Sequence, residues 1–214
     1  MARHAAAAGL LVWAVLLMVV VLGAGSYSPT HERRLQNLFS ALFPKGPLPL
    51  PVRIYCKQNT TLNAAIRDNT VVLTKANSSD PTQMWFQLYS SSSFVQPIGL
   101  RPFSLVNAAT SQVVVIPPFS GEFPSCLAEP NNNQLQLTEN FDLNKAREEL
   151  WTRGAPRADG FYQVIVTKDP SMTLNGLLGN VRDGTVIGIY PSTTQAENTL
   201  WKLTSASPFP FSFP

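Results

Sequence analysis

The side chains that could do chemistry in this chain are few, and their placement excludes more than it offers. Histidine occurs only as His4 and His31, so the stretch 52–203 contains none. That removes the usual general base and the commonest metal ligand from this stretch together. The two cysteines, Cys56 and Cys126, lack the clustered spacing of a zinc site, and neither a Gly-x-Ser-x-Gly elbow nor a phosphate-cradling glycine loop is present. The expectation is a protein without catalytic residues, metal or organic cofactor. What remains is the chemistry of recognition. An aromatic ring offers a flat apolar face to the C–H face of a sugar, and a neighbouring amide or carboxylate exchanges hydrogen bonds with vicinal hydroxyls.

Two asparagines could be modified. Asn59-Thr60-Thr61 and Asn77-Ser78-Ser79 are acceptor sequons for N-glycosylation, which have meaning in a chain that reaches the endoplasmic reticulum. The N-terminus supplies such an address: Met1-Ala2-Arg3-His4 is a short cationic start, and residues 5–25 carry no charge and end in small residues, Gly23-Ala24-Gly25-Ser26. Two readings stand, a signal peptide cleaved near Ala24 or Gly25, and an uncleaved anchor, since the run reaches the roughly 20 residues that span a bilayer. Secretion is expected from the first; the second gives a single-pass membrane protein with its domain in the lumen or outside the cell. In either compartment Cys56 and Cys126 could pair, although Cys56 lies in the apolar run Val52-Arg53-Ile54-Tyr55-Cys56, where a buried free thiol is as natural.

The elements that would position these groups follow from length and pattern. With 214 residues, 44% hydrophobic and 14% charged, the chain can fill one core of ordinary domain size. A net charge of +3, scattered singly apart from Arg33-Arg34, gives no basic stripe and no support for a nucleic-acid partner. Residues 32–43 space Leu35, Leu38, Phe39 and Leu42 on one face of a short helix, and Pro44, Pro47, Pro49 and Pro51 end it in a semi-rigid linker. Residues 204–214 form a Pro/Phe-rich tail.

Between 52 and 203 the pattern is short strands. Segments 52–55, 71–73, 84–88, 103–106, 113–116, 161–166, 186–189 and 200–203 are rich in β-branched or aromatic residues and bounded by turn residues. One short helix is expected over 140–150, and residues 117–133, with their prolines and the run Asn131-Asn132-Asn133, read as an insertion. A repeat organises the strands. Ile66-Arg67-Asp68-Asn69-Thr70-Val71 leads to Trp85, and Val181-Arg182-Asp183-Gly184-Thr185-Val186 leads to Trp201; the spacings from Asp to Trp are 85 − 68 = 17 and 201 − 183 = 18 residues. Glu149-Leu150-Trp151 supplies a third ending beside Gln83-Met84-Trp85 and Thr199-Leu200-Trp201. Three diverged repeats must pack on one axis, because none can bury its apolar face alone. Trp85, Trp151 and Trp201 are therefore expected in a shared core. Asp68 and Asp183 are expected to hold turns through nearby backbone amides, and Arg67 and Arg182 to be surface stems or ion-pair partners.

Three β repeats ending on tryptophan, one with a full Gln-x-Trp, resemble the ricin-B-like β-trefoil, and more closely the Euonymus-lectin-type domain of plants. The first-repeat segments quoted above, Phe103-Ser104-Leu105-Val106-Asn107-Ala108-Ala109-Thr110, and Val181-Arg182-Asp183-Gly184-Thr185 with Leu200-Trp201-Lys202 carry the likeness over most of 52–203. It implies an all-β trefoil of three pseudo-repeats and a carbohydrate-binding, non-catalytic module whose partners are glycans or glycoproteins. A membrane contact is implied only if residues 5–25 remain as an anchor.

The resemblance also implies a sugar site in the third repeat. The family's Asp, Trp and Asn-Gln pair fall on Asn175, Tyr190 and Asn198-Thr199 of this chain. Tyr190 preserves a stacking face, whereas Asn175 replaces a charged acceptor with an amide and Thr199 shortens the last polar group. The site is degenerate relative to the family. Two functions remain in play: a lectin-like module using Asn175, Tyr190 and Asn198, and a trefoil scaffold for protein binding or inhibition, with exposed loops such as 117–133 making the contact.

Overall fold

The structure is a computed structural model that describes residues 33, 50–89, 101–117, 133–139, 150–193 and 195–206. The apolar segment 5–25, most of the helix-and-linker region 26–51, nearly all of the expected helix over 140–150, most of the insertion 117–133, Cys126 and the tail beyond 206 lie outside the described residues.

Among the described residues, twelve strands build the domain. The first repeat contributes β1 (Val52–Cys56), β2 (Asn59–Arg67), β3 (Thr70–Lys75) and β4 (Trp85–Tyr89). The second contributes β5 (Phe103–Asn107), β6 (Val113–Val115), β7 (Gln136–Thr138) and β8 (Trp151–Arg153), and the third β9 (Val164–Val166), β10 (Met172–Gly176), β11 (Ile187–Pro191) and β12 (Trp201–Ser205). Each tryptophan opens the last strand of its repeat. Each also pairs forward into the next repeat, Trp85 with Asn107, Trp151 with Val166 and Trp201 with Cys56. Backward, they pair with Val52, Phe103 and Tyr162 of their own repeat. These six contacts close a barrel of β1, β4, β5, β8, β9 and β12 with three equivalent corners. The indole rings fill it, none more than 1% exposed, among Ile54, Phe103, Val164 and Met172.

Three hairpins, β2–β3, β6–β7 and β10–β11, cap the barrel and meet one another. Leu73 N donates to Thr185 O and Gly184 N to Leu73 O, each at 2.8 Å, while Ile189 N donates to Asn133 O at 2.8 Å. The last contact explains Gly188, since a β-carbon there would collide with the Asn133 carbonyl. A closed barrel under a three-hairpin cap is the β-trefoil, with the three pseudo-repeats expected from the tryptophans.

Four strands were not anticipated from the sequence: β2, β7, β8 and β10. β2 reads Asn-Thr-Thr-Leu-Asn-Ala-Ala-Ile-Arg and β10 Met-Thr-Leu-Asn-Gly, both rich in residues that disfavour strands when judged alone. Burial on both faces overrides that preference, Leu62 to Ile66 and all of β10 being buried. Conversely, of the expected strand 161–166 only Val164–Val166 forms, Tyr162 making a single bridge.

The turn aspartates also behave differently from expectation. Asp68 and Asn69 take φ of 50° and 56° in the two-residue β2–β3 turn, so Asp68 serves through its backbone. Asp183 accepts instead from Arg67 Nη2 at 3.1 Å, an ion pair joining the first and third repeats. The Asp183 turn is held by Thr185, whose hydroxyl accepts from Arg182 N at 2.9 Å and whose N–H donates to Arg182 O at 3.0 Å. Cys56 is a buried free thiol, pushed from its ordinary 9.0 up to about 11 chiefly by burial.

Candidate functional site

The β10–β11 hairpin positions the candidate residues. Its register sets Met172 opposite Pro191, Thr173 opposite Tyr190, Leu174 opposite Ile189, Asn175 opposite Gly188 and Gly176 opposite Ile187. Side chains alternate between faces, and directly opposed residues share one. Met172, Leu174, Ile187 and Ile189 face the core, so Thr173, Asn175, Gly188 and Tyr190 share the other face. Tyr190 lies diagonal to Asn175, at a Cβ separation of about 7 Å for such a pair. Tyr190 is 39% exposed, whereas Thr173, whose hydroxyl donates to Val164 O, and Asn175 are buried.

The chain returning to Trp201 carries Asn198. A short 3-10 helix, Glu197–Thr199, packs on β10 and directs the Asn198 side chain inward. Asn198 Nδ2 donates to Gly176 O at 3.0 Å and to Asn175 Oδ1 at 3.2 Å. Thr199 is turned to its own turn, its hydroxyl donating to Ala196 O at 2.8 Å. From the first repeat, Lys57 ties the helix to the β8–β9 loop, lying 2.7 Å from Asp159 Oδ2 and 3.7 Å from Glu197 Oε1. The Lys57 hydrogen bond is the main cause of the lowered pKa of the Asp159 carboxyl. Trp201 completes the support, its Nε1 donating to Leu174 O at 2.9 Å.

The structure thus joins Asn175 to Asn198 directly and sets Tyr190 on the same face of the hairpin. Reasoning from sequence missed that the two amides are bonded to each other and to the Gly176 carbonyl. It also missed a cavity of about 310 Å³ at the hairpin tip, lined by Leu177, Leu178, Asn180, Arg182, Asp183 and Thr185 among others. Leu178, at φ 66° and 82% exposed, is the residue whose character could have marked it. Among the described residues no cluster of three or more His, Cys, Asp or Glu side chains could hold a metal ion.

No family model matches the chain. A ricin B-like lectin of Arabidopsis thaliana, EULS3, is 26% identical over 194 residues, covering 88% of this chain and 55% of that protein. The chain spans about half the length of the curated relatives it matches. Among solved structures, the designed threefold-symmetric protein ThreeFoil superposes with a TM-score of 0.53 at 11% identity, covering 72% of this chain and 98% of that one. The ricin B-like lectin of Macrolepiota procera, solved with lactose, gives 0.52 at 11% identity over 75% of this chain and 99% of that one. The structural likenesses carry the fold alone. Together with the curated relatives, they make this a β-trefoil that resembles the ricin-B-like lectins.

Proposed function

We propose that this chain is a non-catalytic, lectin-like carbohydrate-binding module, with Tyr190 as the ring platform and Asn175 and Asn198 supplying hydrogen bonds from below. One observation carries the reading: Tyr190, 39% exposed, shares its side of the hairpin with Asn175, whose amide is bonded to that of Asn198. Glycans or glycoproteins are the partners, and a single site of this size has an affinity in the millimolar range, about 4 kcal/mol. The full chain on a glycan array, with free-sugar competition, tests it. Removing one aromatic stack loses on the order of 1 kcal/mol, so Tyr190→Ala should weaken binding several-fold while near-ultraviolet circular dichroism shows the fold intact. Glycan binding that ignores Tyr190→Ala would defeat this site.

The scaffold reading has support of its own, since Leu178 stands 82% exposed beside the cavity at the hairpin tip. It predicts a protein partner whose capture is abolished by Leu178→Asp and unaffected by free sugar.

The proposal includes entry into the secretory pathway through residues 5–25, with glycans on Asn59, Asn77 or both. In both sequons the side-chain Oδ1 accepts local bonds, from Thr61 and from Ser79, which leaves Nδ2 as the atom to be modified. N-glycosidase treatment of protein expressed in plant cells should shift its mass, and N-terminal sequencing separates a cleaved signal from an anchor. Unmodified protein in the cytosol with residues 1–25 attached would rule the address out.

A further inference from the structure

The two ends of the barrel differ in charge and in what leaves them. Strands β1, β5 and β9 run out of the barrel into the three cap hairpins, whereas β4, β8 and β12 run from their tryptophans to the opposite, open end, at Tyr89, Arg153 and Ser205. Of the four large apolar side chains exposed among the described residues, Leu50 and Tyr89 lie at this open end, and Leu178 and Tyr190 belong to the β10–β11 hairpin. The sequence bordering the open end carries one sign of charge. Residues 44–52, 87–89, 101–104, 151–156 and 203–214 contain Lys45, Arg101 and Arg153 and no aspartate or glutamate. Arg101 is exposed, and Arg153, half-buried, donates to Gln87 Oε1 at 2.6 Å. Neither arginine has a carboxylate partner among the described residues, so the end is left positive.

Both flanks of the domain leave from this end. Ala206 N donates to Pro51 O at 2.8 Å, one step beyond the pairing of Val52 with Ser205. Continuing that register would set Pro49 against Pro208 and Pro47 against Pro210, at places where a ladder needs N–H groups that proline lacks. The sequence therefore makes no provision for the flanks to pair, yet it sets Leu48 and Leu50 between the prolines of one and Phe209 and Phe211 between those of the other, with Phe213 beyond. Apolar side chains without a ladder suit a phase that asks for no directional partner, and the cations beside them suit phosphate. We propose that the open end of the barrel docks on an anionic membrane surface, with Lys45, Arg101 and Arg153 supplying charge to the lipid phosphates and the phenylalanines of 207–214 entering the acyl boundary. A second copy of this chain fits poorly there, because two such ends repel. The docking is independent of the Tyr190 site, which lies on a cap hairpin.

Hydrogen exchange of the full chain, read by mass spectrometry, tests this with glycolipid-free vesicles of phosphatidylcholine, with and without phosphatidylserine. Exchange over 44–52 and 204–214 should slow when phosphatidylserine is present and recover in high salt, while 172–191 stays unchanged. Arg101→Ala should shrink that slowing about five-fold, the worth of one cation at an anionic surface. This variant leaves residues 1–25 untouched, so the apolar segment 5–25 cannot imitate the effect. Phe209→Ser, Phe211→Ser and Phe213→Ser combined should abolish the slowing, with near-ultraviolet circular dichroism reporting the fold of each variant. Equal exchange in the two kinds of vesicle would overturn the inference, as would protection over 172–191 instead. Protection of the same segments by rising protein concentration without lipid would overturn it too and make a second copy the occupant. The wild-type comparison decides the question, so a variant that fails to fold does not remove the test. The lectin reading stands or falls separately, on the glycan array.

Discussion

The first and third repeats use the same backbone for different ends. Trp85 Nε1 donates to Ala64 O and Trp201 Nε1 to Leu174 O, both at 2.9 Å, which aligns β2 with β10. Asn63 then matches Thr173, Ala65 matches Asn175, and through the hairpin registers Thr74 matches Tyr190. Counting back from the tryptophans, Thr82 matches Asn198 and Gln83 matches Thr199. In the first repeat Gln83 is a buried hub. Its Oε1 accepts from Asn63 Nδ2 at 3.0 Å, Asn77 N at 2.9 Å and Arg53 Nη1 at 3.4 Å. Its Nε2 donates to Thr74 Oγ1 at 3.0 Å, Lys75 O at 2.9 Å and Asp80 Oδ2 at 3.2 Å. The long amide closes the 77–83 loop onto the sheet.

In the third repeat the short Thr199 does not reach that far, and the bridging passes to Asn198 and Asn175. A ring stands where Thr74 stands, and the amides of Asn175 and Asn198 are buried and bonded to each other. Divergence between repeats thus acts through side-chain length: Gln83 ties its loop to the sheet, whereas the Thr199 hydroxyl donates within its own turn to Ala196 O. The middle repeat shows a third outcome. Trp151 is fully buried, and its Nε1 has no partner among the described residues.

The largest effects should fall on the tryptophans. Trp85→Ala and Trp201→Ala each open a core cavity and should cost about 3 to 5 kcal/mol in denaturant unfolding. Phenylalanine at the three positions sharpens the comparison. Trp85→Phe and Trp201→Phe leave a carbonyl without its donor, whereas Trp151→Phe removes a group already unpaired, so it should be milder by about 1 kcal/mol. Equal costs at all three would break the alignment of the repeats.

Next in size is the hub. Gln83→Ala strands several buried partners at once and should cost about 3 kcal/mol, while Thr199→Ala should cost about 1 kcal/mol. Urea unfolding of both variants measures the contrast. A Gln83→Ala cost no greater than that of Thr199→Ala would mean the first-repeat network is incidental to its loop.

What the sequence disclosed was whatever a single residue type carries by itself. Trp85, Trp151 and Trp201 marked three equivalent barrel corners because few positions in a small domain can bury so large a ring. Strands β2 and β10 stayed hidden because their asparagines, alanines and glycine are tolerated only once the cap buries them, a long-range effect. Asp183 was misread for a similar reason, since its partner Arg67 lies 116 residues away. At the site, Tyr190, Asn175 and Asn198 could be picked out by likeness to the family. The bond between the two amides could not, because it depends on how Glu197–Thr199 folds onto β10.

The smallest predicted effect concerns the barrel corner where the repeats differ most in polarity. The residues pairing back to the tryptophans are Val52, Phe103 and Tyr162. Tyr162 is buried, its hydroxyl has no well-formed hydrogen bond among the described residues, and Arg153 lies 5.3 Å from the centre of its ring. Tyr162→Phe gives the third repeat the residue type of the second, keeps the ring beneath the guanidinium and removes a desolvated hydroxyl. The variant should match the wild type at neutral pH or exceed it by about 1 kcal/mol. The pH dependence supplies the sign. Burial raises the Tyr162 pKa above its ordinary 10.0, so its contribution is fully present below pH 10.0 and is lost as pH rises through the folded-state value. Thermal unfolding from pH 8 upward should therefore show the advantage of Tyr162→Phe widening above pH 10.0. An advantage that narrows there, or a clear destabilisation at neutral pH, would mean that the hydroxyl has a partner and that this corner is not a relaxed copy of its equivalents.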